Sequence, residues 1–96
     1  NKMKYISFVE QIVSERERVE VVLRAIKRVK KVLTSDANFI SFVVNEPKTV
    51  FSYLESKGII IRDRSNQFNF DGCLRVSIGT VEENNKFLKE LKNALS

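Results

Sequence analysis

The sequence contains no histidine and only one cysteine, and each shortage excludes a class of chemistry. Without histidine, the chain cannot assemble serine–histidine or cysteine–histidine nucleophilic catalysis from its own residues. Metal centres built on histidine or on paired cysteines are excluded as well. Cys73 has no partner for an internal disulfide, which fits a reducing cytosol, and a lone cysteine in an apolar strand is more often core filler than nucleophile. We therefore expect a cytoplasmic chain without a metal site.

Long hydrophobic runs are also missing. No apolar stretch reaches the roughly 18 residues that a membrane span needs, and no signal-peptide pattern opens the chain. The 96 residues are 43% hydrophobic and 30% charged, which is typical of one small globular domain. Because Met3 already lies inside a predicted helix, we expect the natural start codon to lie upstream of Asn1. We expect neither membrane contact nor a second domain within residues 1–96.

The net charge of +5 is partly concentrated in one basic cluster, formed by Arg24, Lys27, Arg28, Lys30 and Lys31. Such a cluster could contact nucleic acid. Cations in the last turn of a helix also complement the helix dipole, however, and no aromatic residues interleave with these cations as a single-strand-binding surface would require. We therefore interpret the cluster as a solvated helix end and expect no nucleic-acid partner, with a basic nucleic-acid-binding domain as an alternative hypothesis.

Hydrophobic periodicity predicts three helices. Apolar residues at spacings of three and four predict one long amphipathic helix from about residue 3 to about residue 26, whose N-terminal half we expect to pack on something outside this sequence. Asn45-Glu46-Pro47 predicts the start of a second helix, which Gly58 ends in a left-handed conformation. Thr80 and Glu83 form the pattern of a capping box, which predicts the start of the last helix.

Four strands are predicted between these helices. They are a short edge strand over 29–33, a central strand over 37–44 that is apolar on both faces, and strands over 59–62 and 73–78. Residues 34–36 are predicted to form a turn, and residues 64–71 a polar loop. The expected fold class is α+β: a small, mainly antiparallel sheet with helices packed on one side.

Two arginines stand out within these strands. Arg62 and Arg75 lie on two short strands that the polar loop separates, so they can converge on one anion, and a planar guanidinium binds phosphate or carboxylate with two hydrogen bonds. Arg75 alternates with the apolar row of its strand, so its head can face a cleft while its stem packs. The structural alternative is an exposed sheet arginine, or one that is paired with Asp63 or Asp71.

Five short sequence words occur in an order that closely resembles the C-terminal end of the histidinol-phosphate aminotransferase family. They are Ser35-Asp36-Ala37-Asn38-Phe39, Lys57-Gly58-Ile59, Arg62-Asp63, Gly72-Cys73-Leu74-Arg75 and Gly79-Thr80-Val81-Glu82-Glu83-Asn84. Each word is weak alone, but the ordered set spans essentially the whole chain. Two segments depart from the family's pattern: the loop carries Phe68-Asn69-Phe70, and residues 27–33 lack the usual proline and glycine.

The resemblance implies a pyridoxal-phosphate enzyme with the aspartate-aminotransferase fold. Residues 1–96 would be its C-terminal small domain, and the large cofactor-binding domain would lie outside this sequence. The parent would be a homodimer that exchanges an amino group between glutamate and imidazole-acetol phosphate in histidine biosynthesis. By this resemblance Arg75 binds the carboxylate or phosphate of these small-molecule substrates, and Arg62 shares the phosphate.

Pyridoxal-phosphate chemistry needs a Schiff-base lysine, a carboxylate at the pyridine nitrogen and a phosphate cradle. Ser56-Lys57 superficially resembles the family's Ser-Lys pair, but Gly58-Ile59-Ile60 follows it at a helix end. We therefore interpret Lys57 as a cation at a helix C-terminus. We expect no catalytic residue in this chain, no tightly bound cofactor and no transamination by the chain alone.

Two other functions stay open. Arg62-Asp63-Arg64-Ser65-Asn66 is equally similar to threonine-phosphate decarboxylases, whereas Gly72-Cys73-Leu74-Arg75 and Gly79-Thr80 favour the aminotransferase. The chain could also be a stand-alone anion-binding or regulatory module that has lost its catalytic half.

Overall fold

The computed structural model describes residues 2–36, 38–64 and 72–96. Their elements follow the order α1 (Lys2–Ala25), β1 (Lys31–Asp36), β2 (Phe39–Val43), α2 (Pro47–Ser56), β3 (Ile61–Asp63), β4 (Cys73–Ser77) and α3 (Val81–Ala94). The predicted α+β class is confirmed, and each predicted helix and strand has its counterpart. Of the predicted loop over 64–71, all but Arg64 lies outside the described residues.

The four strands form one sheet in the order β1-β2-β4-β3, and each neighbouring pair is antiparallel. Strand β2 is central, as predicted. One face of the sheet carries Ile40, Phe42, Leu74 and Val76, all buried, and this face shares a core with all three helices. The ring of Phe87 on α3 lies 5.7 Å from that of Phe42. The helices therefore pack on one side of the sheet, and its other face is left for other contacts.

The predicted turn over 34–36 is wrong. Strand β1 continues to Asp36, and its pairing with β2 shifts register between Thr34 and Asp36. Such an irregularity bends a strand without ending it, so polar residues that are typical of turns can remain in the ladder.

Strand β3 begins later than predicted, at Ile61, because Ile59 still belongs to the exit from α2. The N–H of Ile59 donates to the carbonyl of Leu54 over 3.1 Å. Gly58 has φ +79°, the left-handed conformation that its position predicts.

The start of α3 agrees with its predicted capping box. The Thr80 hydroxyl accepts from the Glu83 N–H, and the Glu83 carboxylate accepts from the Thr80 N–H. The hydrogen bond from the Thr80 backbone N–H to the carboxylate, and then one from the Thr80 side chain, hold the pKa of Glu83 below its usual value.

A network of polar side chains joins α1 to α3, and we call Glu15, Arg18 and Asn84 the helix joint. Glu15 is 8% exposed and accepts two hydrogen bonds from Arg18, at 2.9 and 2.7 Å, and one from Asn84 Nδ2 at 3.0 Å. Asn84 also donates to the carbonyl of Gly79 and accepts from its N–H. One amide side chain therefore ties the exit of β4 to both helices.

Two kinds of feature do not occur among the described residues. No helix there is both long and apolar enough to cross a membrane. No group of three or more metal-ligating side chains in the same ranges could hold a metal ion.

Candidate anion-binding site

The sheet register brings Arg62 and Arg75 together. Their Cα atoms are direct partners across the β3–β4 pair, and Arg75 is in turn the partner of Ser41 on β2. Residues that stand directly opposite each other in an antiparallel pair point to the same face, with Cβ atoms about 4.5–5.5 Å apart. We call Ser41, Arg75 and Arg62 the arginine row. The predicted placement of both arginines on neighbouring strands is confirmed; their binding role stays a prediction.

The arginine row lies on the face of the sheet that points away from the helices. Leu74 and Val76, which flank Arg75 along β4, are buried in the core that the helices share. Side chains alternate between faces along a strand, so Arg75 points the opposite way. Arg75 is half-buried and Arg62 is exposed. Solvent can therefore reach the row at Arg62, whereas its other end, at Ser41, is buried.

Gly72 controls how β4 enters the sheet beside this row. It has φ +75°, and a Cβ atom at this position would come within 2.6 Å of the Val44 carbonyl oxygen. The Val44 N–H donates to the Gly72 carbonyl over 3.0 Å. A larger residue would have to displace this backbone contact, which explains why glycine precedes Cys73-Leu74-Arg75.

The two guanidinium groups are like charges on facing positions, an arrangement that destabilises a strand pair. Within residues 2–36, 38–64 and 72–96, no carboxylate forms an ion pair with Arg62 or Arg75. Asp63 is the partner of Leu74 in the register, so alternation directs it to the other face. Asp71, the second alternative partner, lies outside the described residues. The row therefore has the charge and the geometry to accept an anion between two forked donors.

An aromatic ring lies under Arg75. The guanidinium carbon Cζ lies 4.4 Å from the centroid of the Phe39 ring. Phe39 is the register partner of Ser77 and stands two residues from Ser41 on β2, so it is a diagonal neighbour of Arg75 on the same face. In the sequence, Phe39 stands out only as the last residue of the word Ser35-Asp36-Ala37-Asn38-Phe39. The signal that identifies it is the β2–β4 register, which local patterning does not supply.

Cys73 contributes no reactive thiol to this region. It is 1% exposed, and burial raises the pKa of the thiol, although a hydrogen bond with Ser41 partly opposes this. A raised pKa keeps the thiol protonated at neutral pH, so it behaves as a small apolar side chain.

Lys57 lies away from the arginine row. It is exposed at the end of α2, and its Nζ lies 5.4 Å from the centroid of the Tyr53 ring. Helix α2 packs on the opposite side of the sheet from Arg62 and Arg75. An exposed lysine at a helix end offers no cofactor pocket, so the described residues around it do not fit pyridoxal phosphate.

The chain is similar to one family of known enzymes. The profile of a family described as aminotransferase class I and II matches residues 4–91. A histidinol-phosphate aminotransferase of Flavobacterium psychrophilum is 43% identical over 84 residues, which cover 88% of this chain and 24% of that protein.

Two solved structures have a similar fold. The histidinol-phosphate aminotransferase from Clostridium acetobutylicum matches with a TM-score of 0.77 and 29% identity, over 86% of this chain and 26% of its own. A decarboxylase from Sulfurospirillum multivorans matches with a TM-score of 0.79 and 30% identity, over 91% and 26%. The chain spans about a quarter of the length of each of these three proteins.

Proposed function

Because this chain belongs to the aminotransferase class I and II family, we propose that it is the substrate-anion-binding domain of a longer histidinol-phosphate aminotransferase. The parent would transfer an amino group between glutamate and imidazole-acetol phosphate in histidine biosynthesis, in the cytoplasm. Residues 1–96 would form its C-terminal small domain. The 43% identity to a histidinol-phosphate aminotransferase and the quarter-length coverage support this proposal.

One observation carries the proposed role of this domain: Arg62 and Arg75 are register partners on a sheet face that the helices leave open. Both would bind the substrate phosphate, and Arg75 would bind the carboxylate of the amino-acid substrate. Binding energy from a group remote from the reacting centre can orient that centre in the transition state. The domain's contribution to catalysis would thus be binding and orientation.

In the parent, pyridoxal phosphate would supply the electron sink for amino transfer. The described residues do not fit that cofactor, so we propose that the large domain of the same polypeptide holds it and that this chain alone neither binds it nor transaminates. The parent would act as a homodimer. Incubation of the 96-residue chain with the cofactor should give no saturable aldimine absorbance; such an absorbance at Lys57 would contradict this part of the proposal.

A second candidate is the same domain of a threonine-phosphate decarboxylase. The structural match to the decarboxylase from Sulfurospirillum multivorans supports it, at a TM-score of 0.79. Both candidate substrates carry a phosphate, so the arginine row serves either reaction. The distinction therefore needs the complete protein and both substrates.

The test uses the complete gene product that contains these residues, assayed with glutamate and imidazole-acetol phosphate and, separately, with phosphothreonine. We expect amino transfer and no release of CO₂. Arg75→Ala should lower kcat/KM by about a hundredfold to ten-thousandfold, because it removes two charge-assisted hydrogen bonds of about 1.5–3 kcal/mol each. The matched control is Arg28→Ala, which removes an exposed arginine of the basic cluster and should leave kcat/KM unchanged.

A substrate without the phosphate sharpens this test. Arg62→Ala should lower kcat/KM for the phosphorylated substrate. It should leave kcat/KM for the phosphate-free analogue nearly unchanged, because that analogue has no phosphate for Arg62 to bind. Equal losses with both substrates would show that Arg62 does not bind the phosphate. CO₂ release from phosphothreonine without amino transfer would favour the decarboxylase.

A further inference from the structure

Arg75 can bind an anion well only if its guanidinium group is held in place before the anion arrives. An arginine side chain has about 2 kcal/mol of rotamer entropy, part of which is lost when the group is ordered on binding. Ser41 and Cys73 are buried on the same face of the sheet, but no described carboxylate pairs with Arg75. Something else must therefore restrict this side chain.

Phe39 meets that need. Its ring centroid lies 4.4 Å from Cζ of Arg75, within the distance of about 6 Å at which a guanidinium is attracted to an aromatic ring. The ring face accepts no conventional hydrogen bond here, so the N–H donors of Arg75 remain available for an anion. A carboxylate partner would restrict Arg75 too, but it would occupy those donors and cancel the positive charge.

The ring itself is firmly placed. Phe39 is half-buried on the central strand β2, and the next residue, Ile40, is fully buried in the core. The register shift of β1 lies directly opposite, because Asp36 is the partner of Phe39 after the irregularity that follows Thr34. Irregularities of this kind re-aim side chains on a sheet. By contrast, no aromatic ring among the described residues lies under Arg62, which is exposed.

We propose that Phe39 is a positioning residue, whose ring holds the guanidinium group of Arg75 ready for the anionic group of the substrate, while Arg62 closes on the anion from solvent. This inference rests on the proposed function, and it gives the two arginines of the row different roles: Arg75 is ordered and Arg62 is mobile. It also explains how a half-buried arginine can lie opposite another arginine without an ion pair to any described carboxylate.

The first test needs no ligand. The Nε–Hε groups of Arg62 and Arg75 are compared by ¹⁵N heteronuclear NOE and by ¹H shift in the 96-residue chain. We expect Arg75 to be ordered and its Hε shifted by the ring current, and Arg62 to be mobile. Phe39→Leu, which keeps an apolar side chain without a ring, should abolish the ring-current shift and make Arg75 as mobile as Arg62. Phe39→Tyr, which keeps an aromatic ring, should preserve both the ring-current shift and the order of Arg75. If Phe39 only filled space, the order of Arg75 would not depend on a ring.

The second test measures titration with inorganic phosphate. Phosphate should shift the Nε–Hε signal of Arg75 saturably, and Phe39→Leu should raise the Kd about twofold to fivefold, the range expected for a cation–π contact. Phe39→Tyr should keep the wild-type Kd. Amide spectra and urea midpoints confirm that each variant folds; if Phe39→Leu does not fold, the comparison of Arg75 with Arg62 in the wild type decides.

The outcomes separate the two proposals. If phosphate perturbs neither arginine, the proposed anion-binding function fails, whatever Phe39 does to Arg75. If phosphate binds and Arg75→Ala abolishes binding, but Phe39→Leu changes neither the Kd nor the order of Arg75, the function stands and the role of Phe39 is overturned. An Arg75 side chain as mobile as Arg62 in the wild type would overturn it too.

Discussion

The helix joint and the arginine row show two opposite treatments of charge in one small domain. In the joint, the buried carboxylate of Glu15 receives three hydrogen bonds, and one charge is matched by Arg18. In the row, Arg62 and Arg75 face each other across two strands without a described carboxylate between them. A compensated buried network stabilises the folded state, whereas an uncompensated pair is destabilising until a ligand compensates it. The contrast separates the part of the molecule that holds it together from the part that binds.

The largest effect should come from breaking the joint at Asn84. Asn84→Ala removes the hydrogen bond to Glu15 and both hydrogen bonds with the part-buried backbone groups of Gly79. We expect the free energy of unfolding to fall by about 2–4 kcal/mol. Urea denaturation measures this. Asn85→Ala, an exposed neighbour on α3, is the matched control and should change stability by no more than about 0.5 kcal/mol, so similar losses in both variants would argue against the joint.

The pH dependence of stability should come next. Hydrogen bonds from Arg18 and then Asn84 lower the pKa of Glu15 from 4.5 to about 2. A folded-state pKa below the unfolded value means that this contribution is complete above about pH 4.5 and is lost as the pH falls towards 2. We expect the urea midpoint to fall steeply in that window. Glu15→Gln should be less stable at pH 7 and have a flatter profile; identical slopes would show that other carboxylates cause the decline.

The smallest effect should appear in the row, and with the opposite sign. Arg62→Glu replaces a like-charge pair by an opposite-charge pair across β3 and β4, which should raise stability by about 0.2–1 kcal/mol. The gain should shrink in high salt, because Arg62 is exposed. The same variant should lose phosphate binding. A variant that is less stable than the wild type at low salt would mean that the row is not under repulsion.

Local patterns predicted most of the fold. The limits of α1, the left-handed Gly58 and the capping box of Thr80 with Glu83 depend on residues within one or two turns of each other, and all three agree with the structure. The turn over 34–36 failed because its polar residues are equally compatible with an irregular strand once β2 pairs with it. Strands β1 and β3 also start two residues later than predicted, because hydrogen bonds of the helix exits still hold Val29 and Ile59.

Half of the candidate site could be predicted, and half could not. The sequence by itself determined that Arg62 and Arg75 would lie on short strands, since the alternation of apolar and polar residues is local. Only the tertiary structure decided that they face each other, that Phe39 lies under Arg75, and that Asn84 bonds Glu15 across 69 residues. Strand register and contacts between distant elements depend on how the whole core packs, and a shift of one residue would direct every side chain of a strand to the other face.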